Sequence, residues 1–180
     1  MDIHGAEDTA VFDELTIPRP AARVDMAVVN GRLEGFEIKS DGDSLDRLQR
    51  QIDSFQMVFE HMSVVTTERN LRKIRLKIPE CWGIIVFEDN ENFRIARKSK
   101  SNPFRNQENV LFLLNMAELK GIFRKCKNHP PISAVNKRQM IAQIVQKNSK
   151  KSIFSEVKSA LKRREILTAD RAAVHSECAS

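Results

Sequence analysis

Residues 23–51, RVDMAVVNGRLEGFEIKSDGDSLDRLQRQ, constrain the fold more than any other stretch of the chain. Asn30-Gly31 lies between two runs rich in β-branched and apolar residues, which predicts a hairpin with strands over 23–29 and 33–40. SDGD then breaks the chain. Leu45, Leu48, Ile52, Phe55, Phe59 and Met62 follow at spacings of three and four, predicting one helix over 44–62, with Asp43 capping its start and Asp46 adding favourable charge in its first turn. The anomaly is Asp25, Glu37 and Lys39, three charges inside strands.

Alternate strand residues share a face, so Glu37 and Lys39 point together and Ile38 points away. Whether Asp25 joins them depends on the turn. A two-residue Asn30-Gly31 loop places Asp25 opposite Phe36, on the wrong face. A three-residue Val29-Asn30-Gly31 loop, with Gly31 in the left-handed bulge position, places it opposite Gly35 and diagonal to Glu37. That register sorts Val24, Met26, Val28, Phe36 and Ile38 onto a core face. Asp25, Ala27, Gly35, Glu37 and Lys39 fall on the other, where the two small residues leave space.

Two neighbouring carboxylates repel unless a cation sits between them, and an all-oxygen set suits Mg²⁺ or Mn²⁺. A lysine beside such an ion can hold a water or a phosphate oxygen, a combination fitted to metal-assisted phosphodiester hydrolysis. A surface ion pair of Glu37 with Lys39 or Arg23 is the competing reading, since charged pairs on hairpins are common. Arg47 and Gln51, four apart on the helix, form a stripe that can overlook the polar face, the arginine on a phosphate and the glutamine positioning a water or the scissile group. Glu14, near the end of the preceding strand, is a further candidate.

The rest of the chain reads as strands at 11–17, 63–67, 81–88 and 93–98, the last at an edge, with a helical linker over 68–77. Past a soft boundary near residue 100 come helical segments at NVLFLLNMAELKGIFRKC, SAVNKRQMIAQIVQK and SIFSEVKSALKRRE, then a frayed tail after Thr168. The expected fold class is therefore α/β, a mixed sheet flanked by helices. It divides into a core over 1–100, a basic helical extension over 101–168 and a flexible tail over 169–180.

A chain of 180 residues with 41% hydrophobic and 30% charged content suits one globular domain. Cys81, Cys126 and Cys178 are odd in number and far apart, which suggests neither a disulfide framework nor a zinc ribbon. The acidic start lacks the order of a signal peptide and no apolar run approaches the roughly 18 residues of a membrane span, so a cytoplasmic protein is expected. Between Lys120 and Arg164, 13 Lys/Arg face one acid, Glu156, giving that segment +12 while the remainder carries −6. Such clustering is the usual footprint of a nucleic-acid partner, with Lys137, Arg138, Lys150 and Lys151 as candidate phosphate contacts beside Arg47. A solvated lysine-rich surface accounts for the charge equally well.

Asp25, then Glu37-Ile38-Lys39 ending a hairpin, then a helix bearing Gln51, resemble the PD-(D/E)XK nuclease superfamily. Gln51-Ile52-Asp53-Ser54-Phe55 is similar to the Gln-x-x-x-Tyr element of its exonuclease-type members, with phenylalanine for tyrosine. Over residues 22–59 the likeness is closer to a small uncharacterised bacterial family assigned to that superfamily, with Arg-x-Asp-x-Ala, Gly-Phe-Glu-Ile-Lys-Ser-Asp and Arg-Leu-x-x-Gln motifs. IPECWGI at 78–84 extends it, with Cys81 where a tryptophan is usual.

The resemblance implies a restriction-endonuclease-like core. Asp25, Glu37 and the Ile38 backbone carbonyl would hold Mg²⁺ or Mn²⁺, with an acidic residue at the place of Glu14. Lys39 would assist the attacking water, and cleavage would leave a 5′-phosphate and a 3′-hydroxyl. The resulting expectation is a metal-dependent nuclease acting on DNA in repair, restriction or mobile-element processing, in a bacterial or phage setting. The alternative is a non-catalytic nucleic-acid-binding protein on the same fold. A homodimer or a partner protein is compatible with either.

Overall fold

The structure, a computed structural model, describes residues 9–18, 21–88 and 92–177, with side chains through residue 166. Strands β1 (Ala10–Pro18), β2 (Ala21–Asn30) and β3 (Arg32–Lys39) form an antiparallel meander. A 3-10 turn, Leu45–Arg47, leads into α1 (Leu48–Phe55). Then follow β4 (His61–Thr67), α2 (Glu68–Lys77), β5 (Gly83–Glu88) and β6 (Asn92–Arg97). The strands make one six-stranded sheet in sequence order, with β3, β4 and β5 parallel and β6 antiparallel at the edge. Helices α3 (Gln107–Phe112), α4 (Met116–Arg124), α5 (Lys137–Lys147) and α6 (Lys150–Glu177) complete the described chain. The mixed α/β class expected from sequence is the one that forms.

Consecutive parallel strands laid down in one direction, each reached by a right-handed crossover, put both crossover helices on the same face of the sheet. Accordingly α1 packs on β2, α2 on β4 and β5, and α6 on β1 and β2. Arg94, on the Val86 side of the sheet, reaches Glu68 of α2, and Gln51 of α1 reaches Glu37. Buried residues from both sides of residue 100, among them Val64, Trp82, Leu111, Phe123 and Val157, join in one core cluster. The tail expected to fray after Thr168 is helical backbone as far as Glu177.

The hairpin departs from both registers read from sequence. Its partners are Val29↔Leu33, Val28↔Glu34, Ala27↔Gly35 and Met26↔Phe36, so the tip is Asn30-Gly31-Arg32, with Gly31 at φ 66. The shift preserves parity, so Asp25 and Glu37 still belong to the same side. It also makes Ala27, not Asp25, the partner of Gly35.

The assignment of faces is reversed. Ala27, Val29, Leu33, Gly35, Glu37 and Lys39 lie on the helix-covered side, while Ile38 is 49% exposed and Met26, Val28 and Phe36 are only half-buried. Gly35 does not make room for charge. A Cβ there would come within 2.7 Å of Met62 Sδ and 2.9 Å of Phe59 Cγ, so the small residue admits core side chains. Val24 does reach the core, because the β1/β2 ladder skips Glu14 and Asp25 between Asp13↔Met26 and Leu15↔Val24. Glu14 has φ 61 there, and the buried positions change parity across it.

Helix α1 is also shorter than the apolar periodicity predicts. It ends at Phe55, and Met62 belongs to β4. The spacing persists because the chain past the helix crosses the same core: Phe59 meets Phe55 edge to face at 6.0 Å, and Glu60 N–H donates to Leu33 O at 2.8 Å. Ser44, not Asp43, caps the helical start. The segment at 109–126 is two helices, divided where Asn115 and Glu118 form a capping box.

Candidate functional site

Three hydrogen bonds fix the end of β3. Thr66 Oγ1 donates to Lys39 O at 3.0 Å, Asn70 Nδ2 donates to Ser40 O at 3.0 Å, and Asp43 Oδ2 accepts the Ser40 N–H at 2.7 Å. Asp43 also accepts the Ser40 hydroxyl, and these bonds hold its carboxyl below the usual range. The strand end therefore presents Glu37 and Lys39 beneath α1 in a set position.

Both side chains are buried, Glu37 at 1% exposure and Lys39 at 8%. Lys39 Nζ donates to Glu37 Oε1 at 2.6 Å, and Gln51 Nε2 donates to the same oxygen. Glu37 Oε2 and Gln51 Oε1 are buried and find no hydrogen-bond partner among the described residues. Two adjacent acceptors without a donor are costly in a protein interior. Burial pushes the Glu37 carboxyl above its usual value, the charge of Asp25 adds to the rise, and Lys39 and Gln51 oppose it.

Asp25 reaches the site from β2 through the gap in the β1/β2 ladder, and its Oδ2 accepts the Ile38 N–H at 2.7 Å. Together with Glu37 and Lys39 it lines a hollow of about 450 Å³, whose rim carries Arg23, Arg47 and Arg50. Ile38 lines it too, although its side chain lies on the opposite sheet face, so the backbone is what it offers here. The structure thus brings together Asp25, Glu37, Ile38, Lys39, Arg47 and Gln51.

Glu14 is not among the lining residues. Its exposed carboxylate pairs with Arg23 at 3.0 Å. Arg50 is a site residue that the sequence pattern did not single out. It lies three after Arg47 and one before Gln51, a spacing that puts all three on one side of α1.

The basic candidates of the C-terminal helices lie elsewhere. Lys137 is half-buried, donating to Leu114 O at 2.7 Å and lying over the Phe112 ring, so it closes the end of α3. Arg138 is exposed on α5. Lys150 and Lys151 line a second cavity of about 580 Å³ with Glu60, Arg105, Phe154 and Lys158. Lys158 Nζ donates to Gly31 O at 2.6 Å, which places this cavity at the hairpin tip. Glu37 lies six residue steps along the chain from Gly31, roughly 20 Å.

Hard oxygen donors suit Mg²⁺ or Mn²⁺, and the two orphaned acceptors beside Asp25 are the kind of set such an ion satisfies. Among the described residues no group of three or more His, Cys, Asp or Glu comes together. The available set is therefore two carboxylates, an amide oxygen and the Ile38 carbonyl, with water or phosphate completing it, as Mg²⁺ commonly requires. Among the described residues no helix is long and apolar enough to cross a membrane.

Residues 2–171 match the family model described as Bacteriophage P4 protein cII. Protein cII of Enterobacteria phage P4 is 30% identical over 121 residues, covering 66% of this chain and 46% of that protein, so the matched stretch spans under half of that relative's length. A solved structure of a protein of unknown function from Silicibacter pomeroyi aligns over 71% of this chain and 87% of its own with a TM-score of 0.44 and 14% identity, a likeness that carries nothing about chemistry. The match over residues 2–171 makes this chain a member of the bacteriophage P4 protein cII family.

Proposed function

We propose that the protein is a metal-dependent nuclease of the PD-(D/E)XK type, hydrolysing DNA phosphodiester bonds with Mg²⁺ or Mn²⁺. The observation that carries this reading is the buried Glu37 carboxylate. One of its oxygens is shared by Lys39 and Gln51, and the other lacks a donor beside the equally orphaned Gln51 carbonyl, in a hollow rimmed by arginines. A purely structural ion pair leaves no reason for two adjacent acceptors to stay unsatisfied.

Asp25, Glu37 and the Ile38 carbonyl would hold the ion, and Gln51 lies beside them. When bound, the ion supplies positive charge to the scissile phosphate and lowers the pKa of water. Lys39 orients the attacking water. Gln51 keeps Glu37 Oε1 turned toward α1, and Arg47 and Arg50 take the flanking phosphates. Hydrolysis joins the water oxygen to phosphorus and breaks the bond to the 3′ oxygen, leaving a 5′-phosphate and a 3′-hydroxyl.

The test is incubation of the full chain with plasmid, linear, single-stranded and branched DNA in Mg²⁺, Mn²⁺ or EDTA, beside Glu37→Ala and Lys39→Ala. Metal-dependent cutting abolished in both variants supports the proposal. Cutting retained in both removes the site assignment.

A second reading, nucleic-acid binding without catalysis, is favoured by the Lys150, Lys151 and Lys158 cavity, which lies at the other end of the hairpin from the carboxylates. Absence of cutting under all conditions, with salt-dependent binding retained, selects it.

A further inference from the structure

The helices that pack on the sheet occupy one face, and the face behind it carries an apolar surface. At its centre are Ile38, Val65, Ile85, Phe87, Phe93 and Ile95, from four adjacent strands. Phe93 is 64% exposed, Ile95 61%, Ile38 49% and Phe87 44%. With 150–250 Å² per large side chain, those four leave roughly 400 Å² of apolar surface in water, comparable to the largest patch a typical monomer shows. The hairpin sequence is itself patterned for burial on this side, since Met26, Val28 and Phe36 continue the apolar rows.

We propose that this face is the interface with a second copy of the chain, two sheets packing face to face about a two-fold axis. Charge is the first argument. A patch that meets its own copy must be electrically neutral, because any net charge would face itself. The face row of β5, Gly83, Ile85 and Phe87, carries no charge, that of β4 adds only His61 to Ser63, Val65 and Thr67, and on β3 Arg32 pairs with Glu34 at 3.7 Å, so these rows balance although the chain has a net +6.

Shape is the second. The Phe87 and Phe93 rings meet tilted by 59°, centroids 5.4 Å apart, and beside them a groove of about 260 Å³ is lined by residues 38–40, 65–67 and the two rings. The Phe93/Ile95 ridge on edge strand β6 and this groove belong to one surface, so a two-fold axis can seat each ridge in the other copy's groove.

Area is the third. A standard interface takes about 800 Å² from each partner, somewhat more than half of it apolar, which this patch with its half-buried neighbours supplies. The inference is independent of the nuclease reading. It leaves both hollows on the outer, helix-covered faces and backs Ile38, between Glu37 and Lys39, with the partner.

The test is sedimentation velocity of the full chain across micromolar concentrations, with Phe93→Asp, Ile95→Asp and, as control, Leu76→Asp, whose side chain is 80% exposed on α2. The expected result is a species of twice the 20.6 kDa chain mass. Phe93→Asp and Ile95→Asp should raise its dissociation constant at least ~100-fold with unchanged circular dichroism, and Leu76→Asp should leave it alone. A wild type that sediments as a monomer at every concentration overturns the proposal. So does a dimer broken by Leu76→Asp and not by Phe93→Asp. A monomer that binds neutral lipid vesicles through Phe93 assigns the face to a membrane surface and likewise overturns it.

Discussion

Gln51 and Glu37 meet side chain to side chain beneath α1, the amide donating to one carboxylate oxygen while its own carbonyl and the second carboxylate oxygen are buried without a donor. Lys39 completes the cluster from two residues further along β3. The Glu37 carboxylate rests on the Lys39 ammonium, while two acceptors of the cluster find no donor among the described residues.

That imbalance has a consequence for stability. Lys39→Ala leaves the 1%-exposed Glu37 charge without its partner, and breaking a buried pair in this way costs about 3 kcal/mol. Adding Glu37→Gln to Lys39→Ala should recover most of the loss, because the orphaned charge is then gone. Urea unfolding of the wild type, both single variants and the double variant in EDTA measures the coupling.

The pH dependence follows from the raised Glu37 carboxyl. Its folded pKa lies above its unfolded value, so its contribution to stability is full below about pH 4.5 and is lost as pH rises through the folded pKa. A divalent ion needs the deprotonated form, so its stabilising effect runs the opposite way, small in acid and growing as pH rises through the folded pKa. Differential scanning fluorimetry across this range, in Mg²⁺ and in EDTA, should show a melting-temperature gain from the ion that grows with pH and is absent in Glu37→Gln. A gain independent of pH would remove Glu37 from the ion's ligands.

Gly35→Ala places a methyl where Met62 Sδ and Phe59 Cγ already lie. Overpacking of this kind costs about 1–3 kcal/mol. Thermal unfolding measures it, and an unchanged midpoint would mean that the two core side chains yield freely.

Glu60 binds Arg105 at 2.9 Å, Lys158 at 3.0 Å and the Leu33 N–H at 2.8 Å, tying the loop after β6 and helix α6 to the hairpin. These groups are mostly buried. Glu60→Ala should cost about 2 kcal/mol, since hydrogen bonds to charged groups are worth about 1.5–3 kcal/mol each and water replaces part of them. Hydrogen exchange localises the loss, with faster exchange expected at the hairpin tip and the first turns of α6.

The two basic regions should separate in DNA experiments. Arg47→Ala with Arg50→Ala should reduce cutting more than binding. Lys150→Ala with Lys151→Ala should weaken binding and lower the salt slope by about 0.9 for each phosphate that is no longer neutralised. Titrations at several salt concentrations, beside cleavage rates, make the comparison.

The sequence carried most of the strands and most of the residues that line the hollow, because both depend on local signals. Asn30-Gly31 marked the hairpin, the step of two between Glu37 and Lys39 put them together, and the step of four tied Arg47 to Gln51. Arg50 was within reach of the same helical arithmetic. The ends of elements were less legible: Phe59 and Met62 kept a helical spacing after the helix had stopped, since what buries them is a shared core and not a shared helix.

By itself, then, the sequence put Asp25 on the side of Glu37 in the three-residue-loop register and not in the two-residue one, and the observed pairing, shifted by two from the first, keeps that parity. Tertiary structure decided which side. Two right-handed crossovers put the helices over Glu37 and Lys39, so the charges became buried and the apolar rows of Met26, Phe36 and Ile38 became the outer surface. No local rule contains that choice, because both faces of the hairpin carry enough apolar residues to be a core and only the placement of α1 and α2 selects between them.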